Sequence, residues 1–201
     1  MGTKFWFEDS RSAIISSFGE DADLFSRLLA GTSPVTDIRT NVRLACKAYQ
    51  HLKWFGNIQE GGFIHVHVIC IQKFLDGRMD KPETRGGKWR KQAGGRKVWS
   101  LYQNLIGNEQ VCPIDRWMLR YYGYDGETRL TVALYDELEN KLRDEAKALG
   151  VTPAAHQAKV WCSMRMRANT TSGGSTRGDE NYGDIIIRNK INREQLLSRL
   201  L

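Results

Sequence analysis

Apolar residues recur at helical spacing along most of this chain, and they predict a protein built from α-helices. The clearest row places leucines at positions 130, 134, 138 and 142, with Ala146 continuing it and Gly150 available to end the helix. A second strong pattern has its apolar face at positions 38, 42, 45, 49 and 52. Thr36 or Asp37 can cap that helix, and Gly56 can end it. We therefore expect an all-α fold.

Shorter patterns predict further helices on both sides of these two. Amphipathic stretches cover residues 10–18, 21–29, 98–106, 115–122 and 153–168. The segment 63–75 alternates like a strand, but its apolar residues also fit a buried helix. Because its neighbours are helical, we favour a helix there. Residues 76–92 are polar and carry Pro82, Gly86 and Gly87, which predicts an exposed loop.

The chain length and composition predict one main domain. A length of 201 residues suits a single globular domain or one compact unit made of two lobes. We assign residues 1–168 to this domain. Residues 169–184 are rich in Ser, Gly, Thr and Asn, so they predict a flexible loop. Residues 185–201 form a C-terminal tail that we expect to pack on the domain through the apolar stretch 185–187 and a short final helix.

The charge of the chain favours a polyanionic partner, and its distribution says where that partner binds. The formal net charge is +7. Residues 85–97 hold six basic residues and no acidic one, whereas acids and bases are mixed over residues 127–145, as on a solvated helix. The positive field is therefore expected to concentrate just before the predicted helix 98–106.

Several classes of protein do not fit the sequence. The longest apolar run covers residues 63–71 and is too short to span a membrane, and the N-terminus lacks the apolar segment of a secretory signal. The four cysteines are scattered, which favours buried thiols over a metal site or a disulfide framework. His65 and His67 need further ligands to bind a metal, so a packed or partly exposed pair is the favoured interpretation. We expect a cytoplasmic protein with no metal and no membrane partner.

A glycine-rich turn followed by a helix and a carboxylate carries the most specific signal. Gly94 and Gly95 precede Lys97, and Asp115 follows eighteen residues later at the start of another predicted helix. This order resembles the helix-hairpin-helix (endonuclease III-like, HhH-GPD) DNA glycosylase superfamily, and it is most similar to small phage and bacterial members. The matching residues are Gly95-Arg96-Lys97, Val111-Cys112-Pro113-Ile114-Asp115 and, upstream, Thr36, Asp37 and Asn41.

The resemblance implies two helical lobes with a DNA cleft between them, and double-stranded DNA as the partner. It gives Asp115 the role of catalytic carboxylate and Lys97 the role of nucleophile in members that also cut abasic sites. A hairpin at about residues 88–98 is expected to bind DNA phosphates, because glycines let backbone N–H groups approach closely and basic side chains add attraction. The DNA-contacting residues are then Lys88, Trp89, Arg90, Lys91, Gly94, Gly95 and Arg96.

Three departures from the family pattern weaken parts of this assignment. The first hairpin glycine is replaced by Ala93, and the iron–sulfur cysteines of some members are absent. The DNA-inserting glutamine of endonuclease III falls near Pro34, so the residue that displaces the base stays unassigned.

Each of these residues also has a structural interpretation that the sequence leaves open. Asp115 is a good N-cap for the helix that follows it. Lys97 is equally well explained as a phosphate contact at a helix start. To act as a nucleophile it must be neutral at working pH, which requires a lowered pKa. The glycine pair with its basic neighbours is also what a solvated turn looks like. Trp89 is the tryptophan best placed to stack on a base.

The expected function is a DNA glycosylase that flips out a modified or damaged base and excises it to leave an abasic site. The likeness to phage-associated proteins extends the substrate to a hypermodified base in phage DNA, removed in antiviral defence. The alternative is a non-catalytic helix-hairpin-helix DNA-binding protein. We expect a monomer that needs no cofactor.

Overall fold

Helices form every regular element in the described part of this protein. The computed structural model describes residues 5–58, 62–79, 93–172 and 179–198, and no strand occurs in these ranges. The all-α prediction is confirmed. The helices are α1 (Trp6–Phe18), α2 (Ala22–Gly31), α3 (Ile38–Phe55), α4 (His65–Leu75), α5 (Ala93–Leu105), α6 (Arg116–Tyr121), α7 (Val132–Ala148), α8 (Pro153–Ser172), α9 (Tyr182–Arg188) and α10 (Arg193–Ser198).

Local capping chemistry explains where several of these helices begin. The Asp37 carboxylate accepts from the Thr40 N–H and starts α3, which ends at Gly56 in the left-handed conformation. Thr131 caps α7, and Asn181 forms a reciprocal capping box at the start of α9. The helical interpretation of residues 63–75 is also confirmed, with α4 beginning at His65.

The chain divides into two compact units, and each is discontinuous in sequence. The first unit contains Met1–Glu8 and Thr84–Glu180, and the second contains Asp9–Glu83 and Asn181–Leu201. This division differs from the single domain assigned to residues 1–168. The tail that was expected to begin at residue 185 forms α9 and α10 of the second unit, where both helices pack on α3.

The core of the first unit forms where α6 and α7 pack on α8. The predicted leucine row supplies Leu138 and Leu142, both fully buried. They pack with the segment that precedes α6, including Cys112 and Ile114, and with Tyr135 from the first turns of α7. The core therefore holds the segment that leads into Asp115.

The second unit packs α2 closely against α3 and α4. Gly31 allows the approach of α4, because a Cβ at this position would lie 2.8 Å from Ile71 Cγ1. Phe18 and Phe25 stack with ring centroids 3.7 Å apart, and Tyr49 meets Phe18 edge-on. These buried rings tie the end of α1 to α2 and α3.

Two boundaries differ from the sequence-based expectation. Helix α5 begins at Ala93 rather than at residue 98, so Gly94 and Gly95 lie in its first turn and not in a turn before it. Glycine costs up to about 1 kcal/mol in a helix interior, but Arg96 in the same turn pairs with acids on α7 and holds it in place. Helix α8 runs to Ser172, which shortens the loop predicted for residues 169–184.

Candidate active site

Asp115 stands at the N-cap of α6 with both carboxylate oxygens engaged. Its Oδ1 accepts from the backbone N–H groups of Trp117 at 2.9 Å and Met118 at 3.3 Å. The predicted capping role is therefore confirmed. Its Oδ2 accepts from Trp161 Nε1 on α8 at 2.9 Å. The side chain is half-buried, so the carboxylate is oriented by three donors and still reachable from solvent.

Aromatic rings and guanidinium groups surround this carboxylate. The Arg165 guanidinium lies 4.3 Å from the centroid of the Trp161 ring, and that of Arg120 lies 4.8 Å from the Trp117 ring. Trp6 meets Trp161 edge-on at 5.8 Å. Cation–π contacts of this kind restrict the indole orientation. Because the Trp161 indole donates to Asp115, these contacts also fix the direction of the Oδ2 hydrogen bond.

Tyr135 holds the backbone of the segment that leads into Asp115. Its hydroxyl donates to the Cys112 carbonyl at 2.7 Å and accepts from the Ile114 N–H at 3.2 Å. Burial raises the pKa of Tyr135 well above its ordinary value, so the hydroxyl stays protonated. The Ser100 hydroxyl of α5 lies 3.3 Å from the same oxygen. One side chain thus joins α5, α7 and the 112–114 segment.

Two more side chains secure this segment. Gln157 of α8 donates to the Pro113 carbonyl at 3.1 Å. Glu139 of α7, only 2 % exposed, accepts from the Cys112 N–H at 3.1 Å. The Cys112 N–H and carbonyl, the Pro113 carbonyl and the Ile114 N–H are therefore paired with side chains of α7 and α8. The position of Asp115 is set by these tertiary contacts as well as by its own helix.

Arg96 is engaged inside the first unit. It pairs with the buried Glu139 and with Asp136, and its guanidinium lies 4.4 Å from the centroid of the Tyr135 ring. Arg143 also pairs with Glu139, at 3.3 Å. The buried carboxylate is thereby neutralised by two arginines, as a charge in this environment requires. Arg96 supports the Asp115 segment indirectly through Glu139.

The other predicted DNA contacts are placed only in part. Lys88, Trp89, Arg90 and Lys91 lie outside the described residues. Lys97 is half-buried in α5, three residues before Ser100. Residues three apart share a helix face, and Ser100 contacts the hydroxyl that binds Ile114. A short hydrogen-bonded chain therefore connects the helix that carries Lys97 with the segment that carries Asp115.

The thiols and histidines do not form a competing site in the described ranges. All four cysteines are buried, as expected, and none forms a disulfide. Burial raises the pKa of both Cys112 and Cys162 to about 12, which leaves them protonated and poorly nucleophilic at neutral pH. His67 is packed with Nε2 2.8 Å from the Pro34 carbonyl, and no cluster of three metal-ligating side chains occurs among the described residues.

Sequence reasoning missed the positioning residues and one strained turn. Tyr135 and Glu139 are one helical turn apart on the buried face of α7. A glutamate among the apolar positions of that face was the feature of the sequence that could have indicated a buried charge. Trp161 lies 46 residues from Asp115, so only the tertiary fold reveals their contact. Val35, next to Pro34, is 80 % exposed and has a φ of 60°, a conformation that a β-branched residue rarely adopts.

These observations define an all-α protein whose first unit presents a fixed, half-buried carboxylate beside two tryptophans. The chain belongs to a family of unknown function (DUF7178), which matches residues 2–168. No curated protein and no solved structure gives a significant match. Within the described ranges, none of the helices is both long and apolar enough to cross a membrane.

Proposed function

We propose that this protein is a DNA glycosylase that removes a modified or damaged base from double-stranded DNA. The observation that carries the proposal is the presentation of Asp115. Its carboxylate is half-buried, held by three N–H donors, and attached to a segment whose backbone is fixed by Tyr135, Gln157 and Glu139. Such preorganisation is what electrostatic catalysis requires.

The proposed reaction uses this carboxylate beside the sugar of an extruded nucleotide. The glycosidic bond is inaccessible inside a duplex, so the nucleotide first leaves the stack. As the base departs with the bonding electron pair, positive charge builds on the sugar, and Asp115 stabilises it. Water then forms the new bond to the sugar carbon, Asp115 accepts its proton, and the departing base is protonated. An abasic site and a free base result.

Lys97 allows a variant of this chemistry. A neutral lysine amine in place of water attacks the sugar and forms a Schiff base, after which the strand is cut at the abasic site. The hydrogen-bonded chain through Ser100 and Tyr135, which connects the helix that carries Lys97 with the Asp115 segment, is the support for this variant. Borohydride reduction during incubation with DNA traps such an adduct. A covalent adduct in wild type that disappears in Lys97→Gln supports the lyase route, and its absence from wild type excludes it.

A non-catalytic DNA-binding protein is the competing proposal, and one observation favours it. The three hydrogen bonds that orient Asp115 are also sufficient to explain the residue as a structural cap. The two proposals differ in what they predict for DNA. The binding protein retains DNA without releasing a base, and its affinity does not depend on the charge of Asp115.

Base release distinguishes these proposals directly. Purified protein is incubated with unmodified, damaged and phage-modified duplex DNA, and abasic sites are counted. Asp115→Asn is compared with Asp125→Asn, which removes the same charge from an exposed turn of the first unit. The glycosylase proposal expects abasic sites on at least one modified substrate, lost in the first variant and retained in the second. Wild-type inactivity on all three substrates overturns it.

A further inference from the structure

A basic groove lies within the second unit, where α3, α9 and α10 pack together. Its volume is about 880 Å³. Arg39, Arg43 and Lys47 of α3 line it together with Arg188 from the last turn of α9, and no acidic residue is among the lining residues. All four of these basic side chains are exposed. The groove was not predicted from the sequence, because its other walls come from α9 and α10, which lie far from α3 along the chain.

The basic residues of α3 form a straight row. They occupy every fourth position, so they share one side of the helix. A rise of 1.5 Å per residue puts their backbones about 6 Å apart, and the row spans roughly 12 Å. One strand of duplex DNA carries a phosphate about every 3.4 Å along the helix axis. Because the strand also winds around the axis, its successive phosphates are farther apart than this, and the three cations can meet about two to three of them.

The walls of the groove are fixed by packing and by a hydrogen bond. Val42 and Ile185 form part of an apolar floor, and both are buried. Gln50 of α3 donates to the Leu196 carbonyl of α10 at 2.9 Å. The shape of the groove therefore belongs to the folded unit, and it does not depend on the conformations of long surface side chains.

Two of the four basic residues in the groove, Arg43 and Lys47, are not paired with a carboxylate in the described ranges. Arg43 has no ion pair with any residue in the described ranges, and the Lys47 ammonium contacts the Phe63 ring at 5.7 Å. Cations that share one concave surface without an acidic residue in its lining make that surface attractive to an anion. Low-dielectric walls also focus the field of a charged cleft. The ligand that fits this arrangement has several negative charges in a row.

From this geometry we infer that the groove binds the phosphodiester backbone of nucleic acid, independently of base sequence. The inference does not require the proposed base excision, because the groove holds phosphates whether or not Asp115 is catalytic. It adds an anchoring surface on the unit that does not carry Asp115. Free phosphate and mononucleotides present the same phosphate group as nucleic acid. The test must therefore distinguish these three ligands.

The experiment measures binding of the full chain to a labelled duplex as a function of salt. The groove variant is Arg43→Gln/Lys47→Gln. The control is Lys73→Gln/Arg78→Gln, which removes the same amount of charge from the second unit. Lys73 lies in the last turn of α4 and Arg78 just after it, and neither lines the groove. Each lost phosphate contact lowers the slope of log affinity against log salt by about 0.9. We expect the groove variant to lose nearly two units of slope and at least about tenfold in affinity at 0.1 M salt.

The outcomes separate the source of the phosphate and the role of Asp115. The control variant and Arg43→Lys/Lys47→Arg, which keeps the charge, are expected to bind duplex like wild type. Equal losses in the groove and control variants contradict the inference, because net charge alone then explains binding. Inorganic phosphate and a mononucleotide are tested as competitors of the labelled duplex. If either displaces it at a lower concentration of phosphate groups than unlabelled duplex does, the inference is also overturned. Groove-dependent binding without base release leaves this inference standing and refutes the glycosylase proposal.

Discussion

At the scale of single residues, Asp115 combines a cap and a candidate catalytic group in one side chain. The sequence predicts both roles: the Pro-Ile-Asp pattern before an apolar helix predicts the cap, which the structure shows, and the resemblance to the glycosylase superfamily predicts a catalytic carboxylate, which stays a prediction. It does not reveal Trp161, whose indole completes the hydrogen bonding of the carboxylate from another helix. Substitutions at position 115 can separate the structural role from the chemical one.

Asp115→Asn and Asp115→Ala are expected to differ in stability. Asparagine is as good an N-cap as aspartate, so its oxygen keeps the bonds to the Trp117 and Met118 N–H groups, and only the Trp161 bond is lost, at about 1 kcal/mol. Alanine loses the cap as well, for a further ~1 kcal/mol. Urea unfolding at pH 7 measures both. Equal destabilisation by the two variants contradicts the capping contribution.

Replacing Val35 by glycine is expected to stabilise the protein. Its φ of 60° costs a non-glycine residue about 1 kcal/mol or more, and its 80 % exposure means that little packing is lost on substitution. Glycine also increases the conformational entropy of the unfolded chain, which offsets part of the relieved strain. Val35→Gly is therefore expected to stabilise the protein by up to about 1 kcal/mol. Chemical denaturation measures the difference. A loss of more than about 1 kcal/mol in the free energy of unfolding contradicts backbone strain at Val35. Lys190→Gly is the matched variant, because Lys190 also has a positive φ.

At the scale of elements, the helices themselves were largely predictable and their tertiary anchors were not. The periodicity and the caps gave α3, α6 and α7 within a few residues of their observed bounds. The start of α5 was missed because a Gly-Gly pair favours a turn locally. Its helical first turn is stabilised by the ion pair of Arg96 with Glu139, 43 residues away. A local pattern contains no information about such a contact.

Tyr135→Phe tests whether α7 positions the Asp115 segment. The variant leaves the Cys112 carbonyl and the Ile114 N–H without their buried partner, which is expected to cost about 1–3 kcal/mol. The matched control is Tyr182→Phe, which removes a buried hydroxyl bonded to Asn41 in the second unit. We expect Tyr135→Phe to lower base release well beyond the control at equal folded fraction. Similar rates in both variants, once corrected for unfolding, refute the positioning role.

At the scale of the whole molecule, the division into two discontinuous units was the least predictable feature. The sequence predicted a C-terminal tail packed on the domain, and this part of the chain forms α9 and α10 of the second unit beside α3. The basic groove that they form there arises only from this packing. Charge composition predicted a polyanionic partner, but the cations of α3 lie far in sequence from the basic run at 85–97.

A buried ion network makes the stability of the second unit pH-dependent. Asp21 is paired with Lys53 and Arg193 and accepts from the Tyr49 hydroxyl. Burial pushes the pKa of Asp21 up, but the bonds from Lys53 and Tyr49 outweigh it, and the pKa lies below its ordinary value of 3.8. A lowered folded pKa contributes stability that is present above the unfolded pKa and lost as the pH falls through the folded one.

Asp21→Asn is therefore expected to destabilise the protein at pH 7 and much less in acid. The neutral amide no longer compensates the two cations, and the cost at pH 7 is about 1–3 kcal/mol. The difference from wild type is expected to shrink as the pH falls from about 5 through the lowered folded pKa of Asp21, because the wild-type carboxylate is itself protonated below that pKa. Urea unfolding across this range measures it. A constant difference between wild type and variant contradicts the network.

Counting abasic sites in modified duplex DNA distinguishes base excision by Asp115 from DNA binding alone. We expect wild type and Asp125→Asn to produce abasic sites, and Asp115→Asn to produce at least about a hundredfold fewer at equal folded fraction. The Asn variant keeps its helix cap, so this loss reports on the chemistry rather than on the fold. If the wild-type protein binds duplex DNA and releases no base from any modified substrate, the protein is not a glycosylase.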